Sequence, residues 1–297
     1  MSRPNAPFPI AGGRLTVHQL PAATDNLVWL LVAADGEAAA VDGPDAEGVL
    51  ALAAERGFRF TTILNTHTHG DHVGINRDLE RRGLLGKIRV VGSKKAAKDV
   101  PGIGERVDEG DTVTFAGVTA KVLLTEGHID GHVSYVFDGG AFVGDTMFGA
   151  GCGYLFDGPP EKMHRSLARL AALPPETRVF CAHEYTLDNL RFAWSLEPEN
   201  PDLARRIGWS RARRDAGGCT VPSTIGLERR TNPFLRGDSP ALRARVAAAM
   251  PDRSLDSPEA VFAATRALKD RKDYKSIPDS SLPPPWPSAL DDALERQ

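Results

Sequence analysis

Short β-rich runs, separated by turns rich in Gly and Asp and interleaved with helical stretches, fill the chain from about residue 15 to residue 180. Such a mixture of strands and helices favours a layered α/β architecture in which the sheets bury their faces against other elements. The runs with strand character are Leu15–Leu20, Val28–Ala33, Ala38–Val41, Thr61–Asn65, Arg89–Gly92, Thr112–Phe115, Val118–Leu124, Ser134–Phe137, Ala141–Val143 and Arg178–Cys181. The helical stretches between them are Ala46–Arg56, Val73–Arg82 and Pro160–Leu173.

The β-rich runs disappear after residue 185, where the pattern becomes helical. Helices are predicted over Tyr185–Ser195, Pro201–Asp215, Ser239–Ala249 and Pro258–Arg271, with a loop over 217–231. Prolines are concentrated near the C-terminal end, where they disfavour regular structure. The sequence therefore predicts an α/β domain over 11–185, a smaller helical domain over 186–279 and a Pro-rich tail over 280–297.

The densest group of potential metal ligands follows the predicted strand that ends near residue 65. His67, His69, Asp71 and His72 lie within six residues. In an extended chain residues 67, 69 and 71 would share one face, and Gly70 would allow a turn that brings residue 72 round. Imidazole and carboxylate together suit Zn, Fe or Mn. One segment that supplies four ligands supplies more than a single open catalytic metal site needs, so two adjacent metal ions are predicted. The structural alternative is that this segment is a polar surface turn that binds no metal.

Three further potential ligands follow predicted strands later in the chain, namely His128, Asp145 and His183. Taken singly, each has a structural alternative as a hydrogen-bonded loop residue or a helix cap. Taken with the first group, they predict convergence, because strand ends on one edge of a sheet lie close together. His132 is predicted to orient a ligand or its loop, with an exposed surface imidazole as the alternative.

The order His67-x-His69-x-Asp71-His72, then His128, Asp145 and His183, resembles the metallo-β-lactamase superfamily. Within it, the chain most resembles the glyoxalase II (hydroxyacylglutathione hydrolase) family. The stretches that support this are 144–148, 151–158, 183–186 and 232–236. The resemblance implies an αββα metallo-β-lactamase-like sandwich, here the metal-binding hydrolase domain, followed by a smaller all-α C-terminal domain that binds substrate.

The resemblance also implies two divalent metal ions, which we expect to be Zn, with Fe or Mn as alternatives. It assigns His67, His69 and His128 to one ion, and Asp71, His72 and His183 to the other. Asp145 would bridge both ions, and Asp71 and Asp145 are the implied catalytic residues.

The activity that the resemblance implies is hydrolysis of S-(R)-lactoylglutathione to glutathione and D-lactate, a step of methylglyoxal detoxification. Implied substrate contacts are Tyr154, Tyr185, Lys269 and Lys272. Two of them depart from the family pattern: Tyr154 stands where the family has Arg or Lys, and Lys269 where it has Arg. At residue 154 a phenol, which can donate a hydrogen bond, replaces a cation. A solvated helix face is the structural alternative for the two lysines.

Composition limits the partners that we expect. Lys and Arg number 36 against 39 Asp and Glu, which disfavours nucleic-acid binding. The three cysteines are widely spaced and no secretory or membrane-spanning segment is predicted, so we expect a cytoplasmic monomer without membrane partners. The remaining alternatives are another thioesterase of this fold, a persulfide dioxygenase, or a binding protein that has lost activity. A secreted β-lactamase and a nuclease are disfavoured, because neither a signal segment nor an extra inserted domain is predicted.

Overall fold

Two mixed β-sheets form the centre of the protein in the computed structural model, which describes residues 2–286. Strands β1 to β7 lie side by side in chain order in the first sheet. Their bounds are β1 Phe8–Ile10, β2 Leu15–Ala22, β3 Asn26–Ala33, β4 Glu37–Val41, β5 Arg59–Leu64, β6 Arg89–Ser93 and β7 Glu105–Val107. Strands β1 to β4 pair antiparallel, whereas β4 to β7 pair parallel.

As far as residues 2–286 are concerned, the second sheet contains six strands, and a separate ribbon contains two. The bounds are β8 Thr112–Phe115, β9 Val118–Leu124, β10 Val133–Phe137, β11 Gly140–Gly144, β12 Met147–Phe148, β13 Gly151–Cys152, β14 Arg178–Cys181 and β15 Ser223–Thr224. The order in the second sheet is β15-β14-β11-β10-β9-β8, while β12 pairs with β13. Only β11 and β14 pair parallel among the described neighbours of this sheet.

In the described part of the chain, eight α-helices cover the sheets or follow them. Their bounds are α1 Glu47–Arg56, α2 Gly74–Arg81, α3 Pro160–Ala171, α4 Thr186–Leu196, α5 Pro201–Asp215, α6 Ile225–Thr231, α7 Pro240–Ala249 and α8 Pro258–Arg271. The predicted domain boundary falls between Tyr185 and the first residue of α4. Among residues 2–286, no helix combines the length and the apolar character that crossing a bilayer requires.

Strand β3 shows how the layers are built. Trp29 and its second neighbours along the strand pack in the hydrophobic cluster shared with the second sheet. Leu30 and its second neighbours pack in a separate cluster with residues of α1 and α2. Alternate residues of a strand point to opposite faces, so an apolar strand of this kind must be covered on both sides. The predicted αββα sandwich with a helical region after it is confirmed.

Two elements lie where the sequence predicts a loop. Strand β15 extends the second sheet along β14, and α6 follows at once, so the predicted loop over 217–231 is wrong from residue 223 onward. The hydroxyl of Thr224 accepts a hydrogen bond from the amide of Leu227 and caps α6. The carboxylate of Glu228 pairs with Arg206 in the interior. Arg206 belongs to α5. Because the two residues of this ion pair are far apart along the chain, the pair leaves no periodic signal in the sequence.

The described part of the predicted tail lies against the helices. The indole of Trp194 donates to the carbonyl of Ser281 at 3.0 Å, and a guanidinium nitrogen of Arg211 donates to the carbonyl of Pro283 at 2.9 Å. The amide of Trp286 donates to the carbonyl of Gly208 at 3.0 Å. The segment up to residue 286 therefore belongs to the folded body, and residues 287–297 of the predicted tail lie outside the described residues.

Replacing Glu228 by Ala should lower the free energy of unfolding by about 3–5 kcal/mol, because it leaves the Arg206 guanidinium buried without its counter-charge. The exposed fractions of the two side chains are 1% for Arg206 and 0% for Glu228, and their closest atoms are 2.6 Å apart. Urea denaturation followed by circular dichroism measures the change. Glu199→Ala, at an exposed glutamate, is the matched control and should change stability by less than about 0.5 kcal/mol. Equal effects of the two substitutions would contradict the prediction.

Candidate metal centre

The seven predicted metal ligands meet at one edge of the sandwich, where strands of both sheets end. Four of them follow β5, and the others follow β9, β11 and β14. In the second sheet β9, β11 and β14 run in one direction, because β9 and β11 both pair antiparallel with β10 and β14 pairs parallel with β11, so their carboxyl ends lie at the same end of the sheet. Side chains supplied by loops at such an edge sit on a rigid scaffold.

The turn after β5 divides its four ligands between two groups. The backbone amides of His72 and Val73 both donate to the carbonyl of His69, at 3.0 and 3.1 Å. The chain turns at residues 70–72, and Asp71 belongs to a different group from His67 and His69, so the prediction that residues 67, 69 and 71 share one face is wrong. Gly70 does not adopt a positive φ, so this turn does not depend on the conformational freedom of glycine.

The first group consists of His67, His69, His128 and one carboxylate oxygen of Asp145. The Nδ1 atom of His69 lies 3.1 Å from Nε2 of His67 and 3.0 Å from Nε2 of His128. The Nε2 atom of His128 lies 3.4 Å from Oδ2 of Asp145. Three ring nitrogens and one carboxylate oxygen therefore face a common point.

The second group consists of Asp71, His72 and His183. Oδ2 of Asp71 lies 3.4 Å from Nε2 of His183 and 3.8 Å from Nε2 of His72. Both of these imidazole nitrogens lie 3.5 Å from Oδ1 of Asp145. Asp145 thus presents one carboxylate oxygen to each group.

Hydrogen bonds on the far side of the rings hold the imidazoles in place. Nδ1 of His72 lies 2.9 Å from the Asp42 carboxylate, and Nδ1 of His183 lies 2.8 Å from the Asp25 carboxylate. With one ring nitrogen occupied in this way, the other faces the centre. Sequence reasoning missed both aspartates. Asp42 leaves one usable signal, because it directly follows the buried strand β4 beside β5.

His132 lies behind Asp145 and is fully buried, so the alternative of a surface imidazole is wrong. Its Nε2 atom accepts a hydrogen bond from the backbone amide of Asp145 at 3.1 Å. The hydroxyls of Thr125 and Thr146 lie 3.1 and 3.2 Å from its Nδ1 atom. His132 therefore fixes the backbone that carries Asp145 rather than facing the centre.

Buried atoms without partners show that the residues fit a metal. Nε2 of His72 and Oδ1 of Asp145 are both buried and have no hydrogen-bond partner. Leaving polar atoms buried and unpaired is costly, and a cation between them would remove that cost. Imidazole nitrogens and carboxylate oxygens are the donor set that Zn, Fe and Mn accept. The cluster is therefore able to bind metal.

Charges differ between the two groups. Burial by itself lowers the pKa of His72, but the carboxylates of Asp145 and Asp42 outweigh it and raise this pKa to about 9. Burial and the neighbouring imidazoles lower the pKa of His67 well below its usual value. A hydrogen bond with His183 lowers the pKa of Asp71, so this carboxylate stays ionised at neutral pH. The second group is thus the one with the greater concentration of negative charge.

A cavity of about 450 Å³ opens over the cluster, and aromatic side chains form its rim. Tyr154 and Phe156 are more than half exposed and lie edge to face with ring centroids 4.9 Å apart. On the opposite side, the ring of Tyr185 stacks on His183 at 4.8 Å. Together with Leu187, these three are the exposed large hydrophobic residues among residues 2–286. An exposed apolar rim around a polar cluster is typical of a ligand-binding cavity.

The four predicted substrate contacts occupy different places. Tyr154 and Tyr185 line the cavity, whereas Lys269 and Lys272 are not part of its lining. The ammonium of Lys269 donates to the carboxylate of Asp188 at 2.7 Å and lies 4.3 Å from the ring centroid of Tyr274. Burial lowers the pKa of Lys269 to about 8. Lys272 is exposed at the C-terminal end of α8.

Comparisons with known proteins cover both parts of the fold. The model of the metallo-beta-lactamase superfamily matches residues 28–183, and that of the hydroxyacylglutathione hydrolase C-terminus matches residues 184–272. The crystal structure of ETHE1 from Myxococcus xanthus is similar with a TM-score of 0.57 at 26% identity, covering 85% of this chain and 97% of that chain.

Curated relatives extend the match over most of the chain. A hydroxyacylglutathione hydrolase of Synechococcus sp. (strain JA-2-3B'a(2-13)) is 49% identical over 260 residues, which cover 86% of this chain and 100% of the relative. The hydroxyacylglutathione hydrolase of Maricaulis maris (strain MCS10) is 45% identical over 259 residues, covering 86% of this chain and 98% of the relative. The chain is therefore an enzyme of the thioester hydrolase type, and it belongs to the hydroxyacylglutathione hydrolase family of the metallo-β-lactamase superfamily.

Proposed function

We propose that this enzyme hydrolyses S-(R)-lactoylglutathione to glutathione and D-lactate with two divalent metal ions, as a step of methylglyoxal detoxification. The observation that carries the proposal is the position of Asp145, whose two carboxylate oxygens face two separate groups of ligands. The names and coverage of the relatives support the substrate. A cytoplasmic monomer without nucleic-acid or membrane partners remains our expectation.

In this proposal His67, His69 and His128 hold one ion, and Asp71, His72 and His183 hold the other. Asp145 contributes to both positions. Zinc is the expected metal, with iron or manganese as alternatives. Ions of this kind activate water at neutral pH and polarise a carbonyl group when they are bound.

The residues around the cavity orient the reacting groups. The amide of Asn26 donates to Oδ2 of Asp71 at 2.9 Å, which holds this ionised carboxylate at the cavity wall. From there Asp71 can accept a hydrogen bond from water. The ring of Tyr185, stacked on His183, provides one side against which the substrate lies.

Cleavage of a thioester fits a site whose described lining contains no lysine or arginine. A thiolate is a good leaving group, because thiols have pKa values near about 8.5 and need little help from an acid. The cations that bind the glutathione carboxylates must therefore come from outside the lining of the cavity. Lys269 and Lys272 are the cations that we propose for this role. To bind a glutathione carboxylate, Lys269 must first give up its hydrogen bond to the carboxylate of Asp188.

A thioester of another thiol, such as coenzyme A, is the second candidate substrate. The rim favours it, because Tyr154 and Phe156 present apolar surface where the family pattern has a cation at residue 154. The two candidates share the metal centre and differ only in the part of the substrate that contacts the rim.

The two candidate substrates can be distinguished by kinetics. The experiment compares turnover of S-(R)-lactoylglutathione with turnover of D-lactoyl-coenzyme A by the same zinc-loaded preparation. We expect kcat/KM to be at least about tenfold higher for the glutathione thioester, which corresponds to roughly 1.4 kcal/mol of transition-state binding. Thiol release, followed with a chromogenic reagent, measures both reactions. A reversed preference would replace the proposed substrate, and absence of both activities in a protein with two metal ions would exclude thioester hydrolysis as its function.

Asp145→Ala should remove metal from both groups and lower turnover by more than about 100-fold, since even groups that only support a ligand are worth 10–100-fold. Elemental analysis after dialysis gives metal per chain, and thiol release gives turnover. Asp138→Ala is the matched control, because Asp138 is an exposed aspartate near the opposite end of the same strand β11. Either metal content or turnover at the unmutated level in Asp145→Ala would refute the shared position.

Tyr154→Lys should lower KM for the glutathione thioester by up to about fivefold, because an exposed ion pair contributes at most about 1 kcal/mol. The gain should shrink at high salt, which screens exposed charges. Steady-state kinetics at two ionic strengths measure the effect. Tyr154→Met, which removes the phenol without adding a charge, should show no such decrease. An unchanged KM in Tyr154→Lys would indicate that no substrate carboxylate lies near this part of the rim.

A further inference from the structure

A short segment over 149–154 lies between the helical region and the metal ligands, and buried side chains from the helical region bind its backbone. Four consecutive residues of the segment each receive one such contact, at distances of 2.9 to 3.3 Å. The contacts are Asn189 Nδ2 to Gly149 O, Ala150 N to Glu228 Oε2, Asn232 Nδ2 to Gly151 O, and Arg266 Nη1 to Cys152 O. All four side chains are at least nine-tenths buried.

Three alternate glycines allow the segment to fit in this narrow space. A Cβ atom at Gly149 would lie 2.4 Å from the hydroxyl of Thr186, and one at Gly151 would lie 2.4 Å from the amide of Asn189. One at Gly153 would lie 2.1 Å from the carbonyl oxygen of Asp145. Real Cβ atoms do not approach other atoms so closely, so the segment is wedged between α4 and the loop of Asp145.

The other side of the same segment holds a metal ligand. Nδ1 of His128 donates to the carbonyl of Tyr154 at 2.7 Å, which turns Nε2 of this ring toward the first group. Strand β13 of the segment pairs with β12, which follows Asp145 by two residues. Displacement of the segment would therefore move His128.

We propose that the helical region positions His128 through the segment 149–154, and that Arg266 is a positioning residue for the first metal group. The inference rests on the proposed two-metal site. Arg266 comes from α8, the last α-helix among the described residues, and Asp270 leaves one of its terminal nitrogens free to donate to Cys152. The helical region thus has a part in metal binding although it supplies no ligand to either group. The second group is supported instead by Asp25, in the turn before β3, and by Asp42, directly after β4.

The variants test the link from two sides. Arg266→Met keeps the length and apolar contacts of the side chain but removes its donors, and Arg266→Lys keeps one donor. Gly151→Ala pushes the segment away from Asn189 without touching Arg266. The matched controls are Arg271→Met, at an exposed arginine of the same helix, and Gly48→Ala, at an exposed helical glycine with no atom within 4 Å of an added Cβ.

The measurement is zinc binding to the metal-free full chain in competition with a chromogenic chelator, together with the absorption spectrum of the cobalt-loaded protein. We expect Arg266→Met and Gly151→Ala to weaken one of two dissociation constants by about 10–100-fold and to leave the other unchanged. The weakened dissociation constant must belong to the zinc ion whose binding is lost in His128→Ala. Arg266→Lys should recover part of the affinity, and both controls should bind as the unmutated chain does.

Different outcomes overturn different claims. Unchanged constants and an unchanged cobalt spectrum in both Arg266→Met and Gly151→Ala would overturn the inference. Equal weakening of both constants, with a lower melting temperature, would also overturn it, because it would show a general loss of structure. An unmutated chain that takes up only one zinc ion would overturn the two-metal proposal, whereas the constant for that single ion would still test the role of Arg266.

Discussion

The carboxylate of Asp145, buried between two groups of imidazoles, is the constraint on which the rest of the site depends. One of its oxygens has no hydrogen-bond partner, and a buried charge in that state is costly unless a cation lies nearby. The carboxylate lies in this position because strands from two sheets end together at this edge. The sandwich thus brings buried carboxylate oxygens and imidazole nitrogens together at one place.

The precision of this convergence comes from residues that are not ligands. Asp42 and Asp25 hold the far sides of two rings, and His132 holds the backbone of Asp145 from behind. Asp42 directly follows β4, Asp25 lies in the turn before β3, and His132 directly precedes β10, so the sheets determine the positions of all three. Rigid support of this kind preserves ligand geometry before any metal binds.

The helical region joins the sandwich through buried polar contacts as well as apolar packing. Arg206 and Glu228 form an ion pair inside this region. The carboxylate of Glu228 also accepts a hydrogen bond from the backbone amide of Ala150, in the segment 149–154. Buried polar networks with satisfied partners specify one arrangement of elements, whereas apolar surfaces tolerate several. The segment that carries Tyr154 of the cavity rim is held by side chains of the helical region, so the rim depends on both parts of the chain.

The sequence alone determined the family and most elements of the sandwich, because these depend on local periodicity and on residues close together in the chain. Strands such as Val118–Leu124 have the predicted bounds, since alternation along a strand is a local property. Only the tertiary structure decided that the Asp42 carboxylate holds the ring of His72 and that α6 forms in an expected loop. These outcomes depend on partners that are remote in the chain and adjacent in space, and such pairings are created by packing rather than by any pattern along the sequence.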